Sequence, residues 1–124
     1  TALRGSVLHE AARRGHEAVA RVLCDAKANV NLVDVTGDTP LHCAVSHGKV
    51  EIARLLLDMK ADVNAQEIAG GTPLHFATTS LLVPSSDVRR ELVEVLMTAG
   101  ADSSIRDKFW LGPGDNQHVM RVKR

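Results

Sequence analysis

A segment of about 33 residues recurs three times along the chain, and this repetition constrains the fold more than any other feature. His9, His42 and His75 are spaced 33 residues apart, within the segments SVLHEA, TPLHCA and TPLHFA. The related tetrapeptides ANVN, ADVN and ADSS follow further along each copy. An internal period of this length is typical of stacked repeats, in which neighbouring units bury one another's apolar faces.

The second copy, about residues 34–66, shows most clearly what each repeat contains, in the stretch from Gly37 to Gln66. Thr39 can cap a helix that begins at Pro40, where proline loses no hydrogen bond, and this helix should end near Gly48. A second helix, apolar on most sides, is predicted over residues 50–57. Helices this short are unstable alone in water, so they must gain stability from neighbouring repeats.

The first copy covers about residues 1–33 and predicts helices over residues 7–14 and 17–25. Ser6 replaces the threonine of the later copies and can still cap the first helix. In the second helix, four side chains are expected to point inward: Val19, Val22, Leu23 and Cys24.

The third copy, about residues 67–106, contains a seven-residue insertion between Ala77 and Glu91. Pro84 should stop the first helix or an extension of it. One of the three residues 85–87 should cap a second helix that runs to about Thr98. For the apolar run 81–83 we favour a lengthened helix that packs on its own neighbour, and the alternative is a dedicated contact site.

The repeat pattern ends after Asp107, where GPGD at residues 112–115 cannot start a helix. We expect Phe109, Trp110 and Leu111 to cover the apolar end of the third repeat as a degenerate cap. The remaining residues, 116–124, fit a short helix, a strand or a tail equally well.

With TPLHCA and TPLHFA set at a 33-residue period, the chain resembles the ankyrin repeat family over about residues 1–107. The resemblance implies an all-α ankyrin-repeat solenoid: three helix-turn-helix repeats joined by β-hairpin-like loops, with a capping segment at 107–124, in a single domain 1–124. It also implies that His9, His42 and His75 tether neighbouring hairpins. Lys27 and Lys60 stand where the family usually has glycine, at a cost of about 1 kcal/mol each if the helix ends are left-handed.

Composition narrows the class of protein. The net charge is zero and aromatic residues make up 2% of the chain, so neither bulk attraction to nucleic acid nor a large aromatic core is expected. No apolar run is long enough to span a membrane. We expect Cys24 and Cys43 to be buried thiols of an intracellular protein, which would be either cytoplasmic or nuclear. Because the chain begins at Thr1 and not at a methionine, we expect it to be a fragment of a larger protein. We also expect this fragment to be monomeric.

The sequence predicts no catalytic, cofactor or metal site. Equivalent histidines of stacked repeats should lie roughly 8 to 10 Å apart, whereas the ligands of one zinc ion lie about 2 Å from it. Ser46 and His47 could suggest a nucleophile and a base, but adjacent helical residues point in different directions. Gly70-Gly71-Thr72 lacks the lysine of a phosphate-binding loop.

The resemblance implies a partner-binding surface on the concave side, made by the hairpin tips and the exposed sides of the first helices. Mapped through the repeat, its positions are Leu3, Gly5, Arg13, Arg14, Val35, Thr36, Asp38, Ser46, His47, Ile68, Ala69, Gly71, Thr79 and Ser80. Asn31 and Asn64 resemble sites of asparaginyl hydroxylases, although a role in their own turns is favoured.

Function is therefore expected to be the non-catalytic binding of a protein or peptide. An alternative is a regulatory or substrate-targeting segment of a larger multidomain enzyme. A third is binding of an anionic polymer through Arg13, Arg14 and the basic tail, which predicts steep salt dependence.

Overall fold

The computed structural model describes residues 6–107, which form six α-helices and no β-strand. The helices are α1 (Val7–Arg14), α2 (Glu17–Asp25), α3 (Pro40–Ser46), α4 (Val50–Asp58), α5 (Pro73–Thr79) and α6 (Ser86–Thr98). Consecutive helices pair as α1 with α2, α3 with α4 and α5 with α6. The first helices of the pairs contact one another in chain order, and so do the second helices. The predicted all-α stack is confirmed, while Leu3, Gly5 and the cap lie outside the described residues.

The first helix of each pair begins with the same capping box. Ser6, Thr39 and Thr72 each accept a hydrogen bond from the backbone N–H three residues later. The histidine at that later position returns the bond, because its Nδ1 accepts from the backbone N–H of the capping residue. The predicted caps are confirmed, and the substitution of Ser6-Val7 for Thr-Pro leaves the first cap intact.

The three histidines also join neighbouring repeats. His9 Nε2 lies 2.8 Å from the carbonyl oxygen of Asp38, and His42 Nε2 lies 2.9 Å from that of Gly71. Since Nδ1 of each ring is already an acceptor, Nε2 carries the proton and donates it. The predicted tether is thus present between the first and second and between the second and third repeats.

The core between the helices is built from small and aliphatic side chains. Alanines with no exposed surface allow the helices to approach closely, and leucines fill the remaining space. The fully buried members of the core include Ala12, Ala20, Leu41, Ala44, Ala53, Leu56, Ala77, Leu92 and Leu96.

All three second helices end in the same Schellman motif. The residue two positions past the cap, Ala28, Ala61 or Ala101, donates its N–H to the carbonyl oxygen five residues earlier at 3.0 Å. The left-handed residue of the motif is Lys27 in the first repeat, with φ 69°, and Lys60 in the second, with φ 74°. Gly100 fills the same place in the third. The two lysines are therefore strained rather than differently folded.

Two residues of α2 do not lie where the sequence predicted. Cys24 is buried and Leu23 half-buried, but Val19 is 44% and Val22 66% exposed. The prediction that both valines point inward was wrong. Their equivalents in the second repeat are buried because the first repeat packs beside them, and no described segment packs against the first repeat in the same way.

The insertion of the third repeat is shared between a loop and α6. Helix α5 has seven residues, as α3 does, so the predicted lengthening of the first helix was wrong. Helix α6 instead has thirteen residues, against nine in α4, and Ser85 caps it. In the loop, Val83 is buried while Leu81 and Leu82 are exposed, and Pro84 lies against Gly48.

Candidate partner-binding surface

The two described hairpin tips have the same backbone and are joined to each other. In the second repeat the N–H of Asp34 donates to the carbonyl oxygen of Asp38 at 3.0 Å, and in the third Glu67 donates to Gly71 at 2.9 Å. The N–H of Ile68 then donates across to the carbonyl oxygen of Thr36 at 2.9 Å. Neighbouring tips therefore form one continuous edge.

Aliphatic side chains stand at the same position of both tips. Val35 is 67% and Ile68 is 68% exposed, and the two residues are 33 positions apart in the chain. Beside them, Thr36 is exposed and Ala69 half-buried. Two apolar side chains are thus held on adjacent tips, facing water.

A buried carboxylate shapes the tip of the second repeat. Asp34 Oδ1 accepts hydrogen bonds from the N–H and hydroxyl of Thr36, at 2.9 and 2.8 Å, and from the N–H of Asp38 at 3.0 Å. Burial by itself would raise the pKa of Asp34, but these bonds outweigh it and the pKa is lowered. Glu67 takes the equivalent role in the third repeat, where it accepts from the N–H of Ala69.

Arg13 is mostly buried between the first and second repeats. Its side chain is only 12% exposed, and its guanidinium lies 3.2 Å from Glu10, 3.3 Å from Cys43 Sγ and 4.0 Å from Asp34. Arg14 is exposed but lies 3.2 Å from the same Glu10. Of the two predicted partner contacts, Arg14 is the accessible one.

Ser46 and His47 do touch, which the sequence argument had ruled out. His47 caps α3 with φ −103° and ψ 8°, so it departs from the helix and its Nδ1 comes within 3.1 Å of Ser46 Oγ. The same Nδ1 lies 3.0 Å from the carbonyl oxygen of Cys43 and must donate its proton there. A nitrogen that is already protonated cannot accept the serine proton, so this contact is not a nucleophile and base.

The remaining predicted residues continue the surface along α5. Thr79 is exposed and its hydroxyl donates to the carbonyl oxygen of His75 at 2.8 Å. Ser80 is half-buried and donates to the carbonyl oxygen of Ser46 at 2.6 Å. Asp38 is half-buried, with its pKa raised by desolvation, and Gly71 is buried.

One group of ligand-type atoms is brought together by the fold although the sequence argument did not single it out. The side-chain ligand atoms of Asp34, Asp38 and Cys43 all lie within 4.8 Å of one another. Burial raises the pKa of the Cys43 thiol to about 12, which keeps it protonated, whereas metals bind the thiolate. The guanidinium of Arg13 also brings positive charge to this cluster. These residues are therefore better suited to contact the guanidinium of Arg13 than to bind a metal ion.

Two asparagines were assigned to the wrong contact by the sequence argument. Asn31 Oδ1 accepts from the N–H of Asp62, and Asn64 Oδ1 accepts from the N–H of Asp102, both at 2.8 Å. Each side chain therefore links its own repeat to the next, rather than serving its own turn. The repeat period could have indicated these contacts, because Asp62 and Asp102 each lie in the equivalent turn one repeat after the asparagine.

The cationic residues of the described segment are mostly paired. Arg90 forms an ion pair with Asp87 at 3.1 Å, and Arg89 donates to the carbonyl oxygens of Ala77 and Ser80. Both arginines lie on α6. Arg13, Arg89 and Arg90 therefore already make polar contacts within the fold.

Comparison with known proteins agrees with this architecture. Within residues 6–107, no helix is long and apolar enough to cross a membrane. No curated protein gives a significant match to the chain. The family described as ankyrin repeats (3 copies) matches residues 8–107, and such repeats are generally non-catalytic modules for protein–protein interaction. The chain therefore belongs to the ankyrin repeat family.

Proposed function

We propose that this chain binds a protein or peptide partner on the concave surface formed by its hairpin tips and the exposed sides of α1, α3 and α5. The observation that carries the proposal is the pair Val35 and Ile68, two aliphatic side chains about two-thirds exposed on adjacent, hydrogen-bonded tips. Apolar side chains held on a rigid backbone lose little entropy when a partner covers them.

The polar groups elsewhere on the proposed surface favour a segment that is uncharged or weakly charged over the tips. Thr36 and Thr79 are exposed, and their hydroxyls already donate to Asp34 and to the backbone of α5. They still have lone pairs with which to accept a hydrogen bond from a partner. Arg14 gives the first-repeat end of the surface a cation, weakened by its ion pair with Glu10. The partner that fits best has an apolar segment over the tips and an acidic group toward the first repeat.

Peptide selection against the whole chain tests this proposal. Peptides selected from a displayed random library would be measured by calorimetry against the wild type and against a Val35→Asp/Ile68→Asp variant. We expect the variant to lose at least about tenfold in affinity, because a charge would replace the apolar contact at each tip.

Met97→Asp is the matched control, since Met97 is also an exposed apolar residue but lies near the end of α6. It should bind as the wild type does, and circular dichroism should show that all three proteins are equally folded. Peptides that bind the tip variant as tightly as the wild type would refute the proposed surface.

We further propose that the protein works inside the cell as a monomer. Cys24 and Cys43 are both buried and unpaired, as is usual for thiols in a reducing compartment. Localisation of a tagged chain and its sedimentation at micromolar concentration would test the two statements separately.

A further inference from the structure

The first repeat has an apolar face on the side away from the second repeat. We call it the N-terminal end face and define it by Val7, Val19, Val22 and Leu32, all of which are exposed. Exposed aliphatic residues that stand singly are common on protein surfaces, but these four border one shallow groove or lie on the helix beside it. The groove itself is lined by Val7, Leu8, Leu23, Ala28 and Leu32, together with Ser6 and Asn29.

Three of these four positions are buried in the second repeat, and the fourth, Ala65 in place of Leu32, is half-buried. Ile52, which corresponds to Val19, is 2% exposed, and Leu55, which corresponds to Val22, is 6% exposed. Pro40, which corresponds to Val7, is also buried. The chain therefore places apolar residues at these positions in each of its first two repeats, yet only the second is covered.

Neighbouring residues show what covers these positions. Ile52 lines a crevice with Gly15 and Glu17 of the preceding repeat. Val95, the equivalent of Val22 in the third repeat, shares a groove with Leu57 and Asp58 of α4, again in the preceding repeat. In both interfaces the face is covered by the helix pair that comes one repeat earlier.

We propose that the N-terminal end face of the first repeat binds one further helix-turn-helix unit of the same ankyrin type. Both interfaces inside this stack supply the template: the face of one repeat meets the opposite face of another. A second copy of the chain joined by a two-fold axis would instead pair this face with itself, a contact that neither interface contains. The inference is independent of the partner proposed for the hairpin tips.

A chain lengthened by one repeat, added in register with the existing repeats, tests the inference. A copy of residues 34–66 joined directly before Thr1 continues the 33-residue period. Urea unfolding followed by circular dichroism should remain a single transition, with its midpoint raised on the order of 1 M above that of the 124-residue chain.

Val19→Glu/Val22→Glu is the critical variant. It should barely move the midpoint of the 124-residue chain, because both side chains are exposed there, and it should abolish the increase in the lengthened chain. Leu82→Glu, at another exposed aliphatic residue but in the loop of the third repeat, is the matched control and should leave the increase intact.

Three results would overturn the inference. The first is a midpoint that does not rise, or a separate early transition, in the lengthened wild type. The second is a rise that persists in the double glutamate variant. The third is a dimer of the 124-residue chain in sedimentation that the double variant dissolves, because the occupant of the face would then be a second copy.

Discussion

His42 links a helix cap to the next repeat, and replacing it by leucine should cost far more than its size suggests. The ring has no exposed surface, its Nδ1 accepts from the N–H of Thr39 at 3.1 Å, and its Nε2 donates to Gly71 at 2.9 Å. Leucine has a similar volume but neither nitrogen. Loss of the cap contact costs about 1 kcal/mol, and a buried carbonyl left without a donor costs about 1–3 kcal/mol. The expected loss in the free energy of unfolding is about 2–4 kcal/mol.

Urea unfolding of the whole chain at pH 7.5 measures this loss. His16→Leu is the matched control, because His16 is exposed and makes no side-chain capping bond. It should change the free energy of unfolding by less than about 0.5 kcal/mol. A His42→Leu variant within the same margin would refute the assignment of both hydrogen bonds.

The pH dependence of the free energy of unfolding gives a second test of the role of His42. Burial, the largest cause, lowers the pKa of His42 below the ordinary value of 6.5. The unfolded chain therefore binds this proton more readily, so stability should fall as the pH drops below about 6.5. Protonation of Nδ1 would also place its N–H against that of Thr39. The His42→Leu variant should lose part of this slope, and an unchanged slope would contradict a buried neutral imidazole.

Three further predictions concern glycine, lysine and cysteine positions. Gly48→Ala should destabilise the chain more than Gly100→Ala in thermal unfolding. Both glycines have positive φ, but only at Gly48 would the new methyl group meet Pro84, at 2.6 Å. Equal effects of the two substitutions would contradict that contact. Lys60→Gly should raise the free energy of unfolding by about 1 kcal/mol, because glycine adopts its φ of 74° without strain, and a loss of stability would contradict this. Cys43 should resist thiol reagents at pH 7.5 until urea unfolds the chain, since it is buried with a pKa of about 12, and rapid labelling of the native protein would show that it is accessible.

The sequence predicted best what depends on neighbouring residues in the chain. Thr39 and Pro40 locate a helix start because capping needs only the next few residues, and the same reasoning holds for Ser6. Lys60 could likewise be assigned to a helix end from its place in the repeat.

What the sequence did not predict depends on contacts between repeats or on local dihedral angles. Periodicity showed that Val22 belongs to an apolar face but not whether another repeat covers that face. The sequence predicted Arg13 for partner contact but did not show that it also lies against Cys43 and Asp34 of the next repeat. The contact between Ser46 and His47 arises from the cap conformation of one residue, which helical geometry does not describe.

Two rows of side-chain hydrogen bonds join neighbouring repeats, one through His9 and His42 and the other through Asn31 and Asn64. Because bonds in both rows link only adjacent repeats, a pulling force on the two ends of the chain would reach every interface in series. The stack should then come apart one repeat at a time, in sawtooth steps of similar contour length, rather than in one rupture.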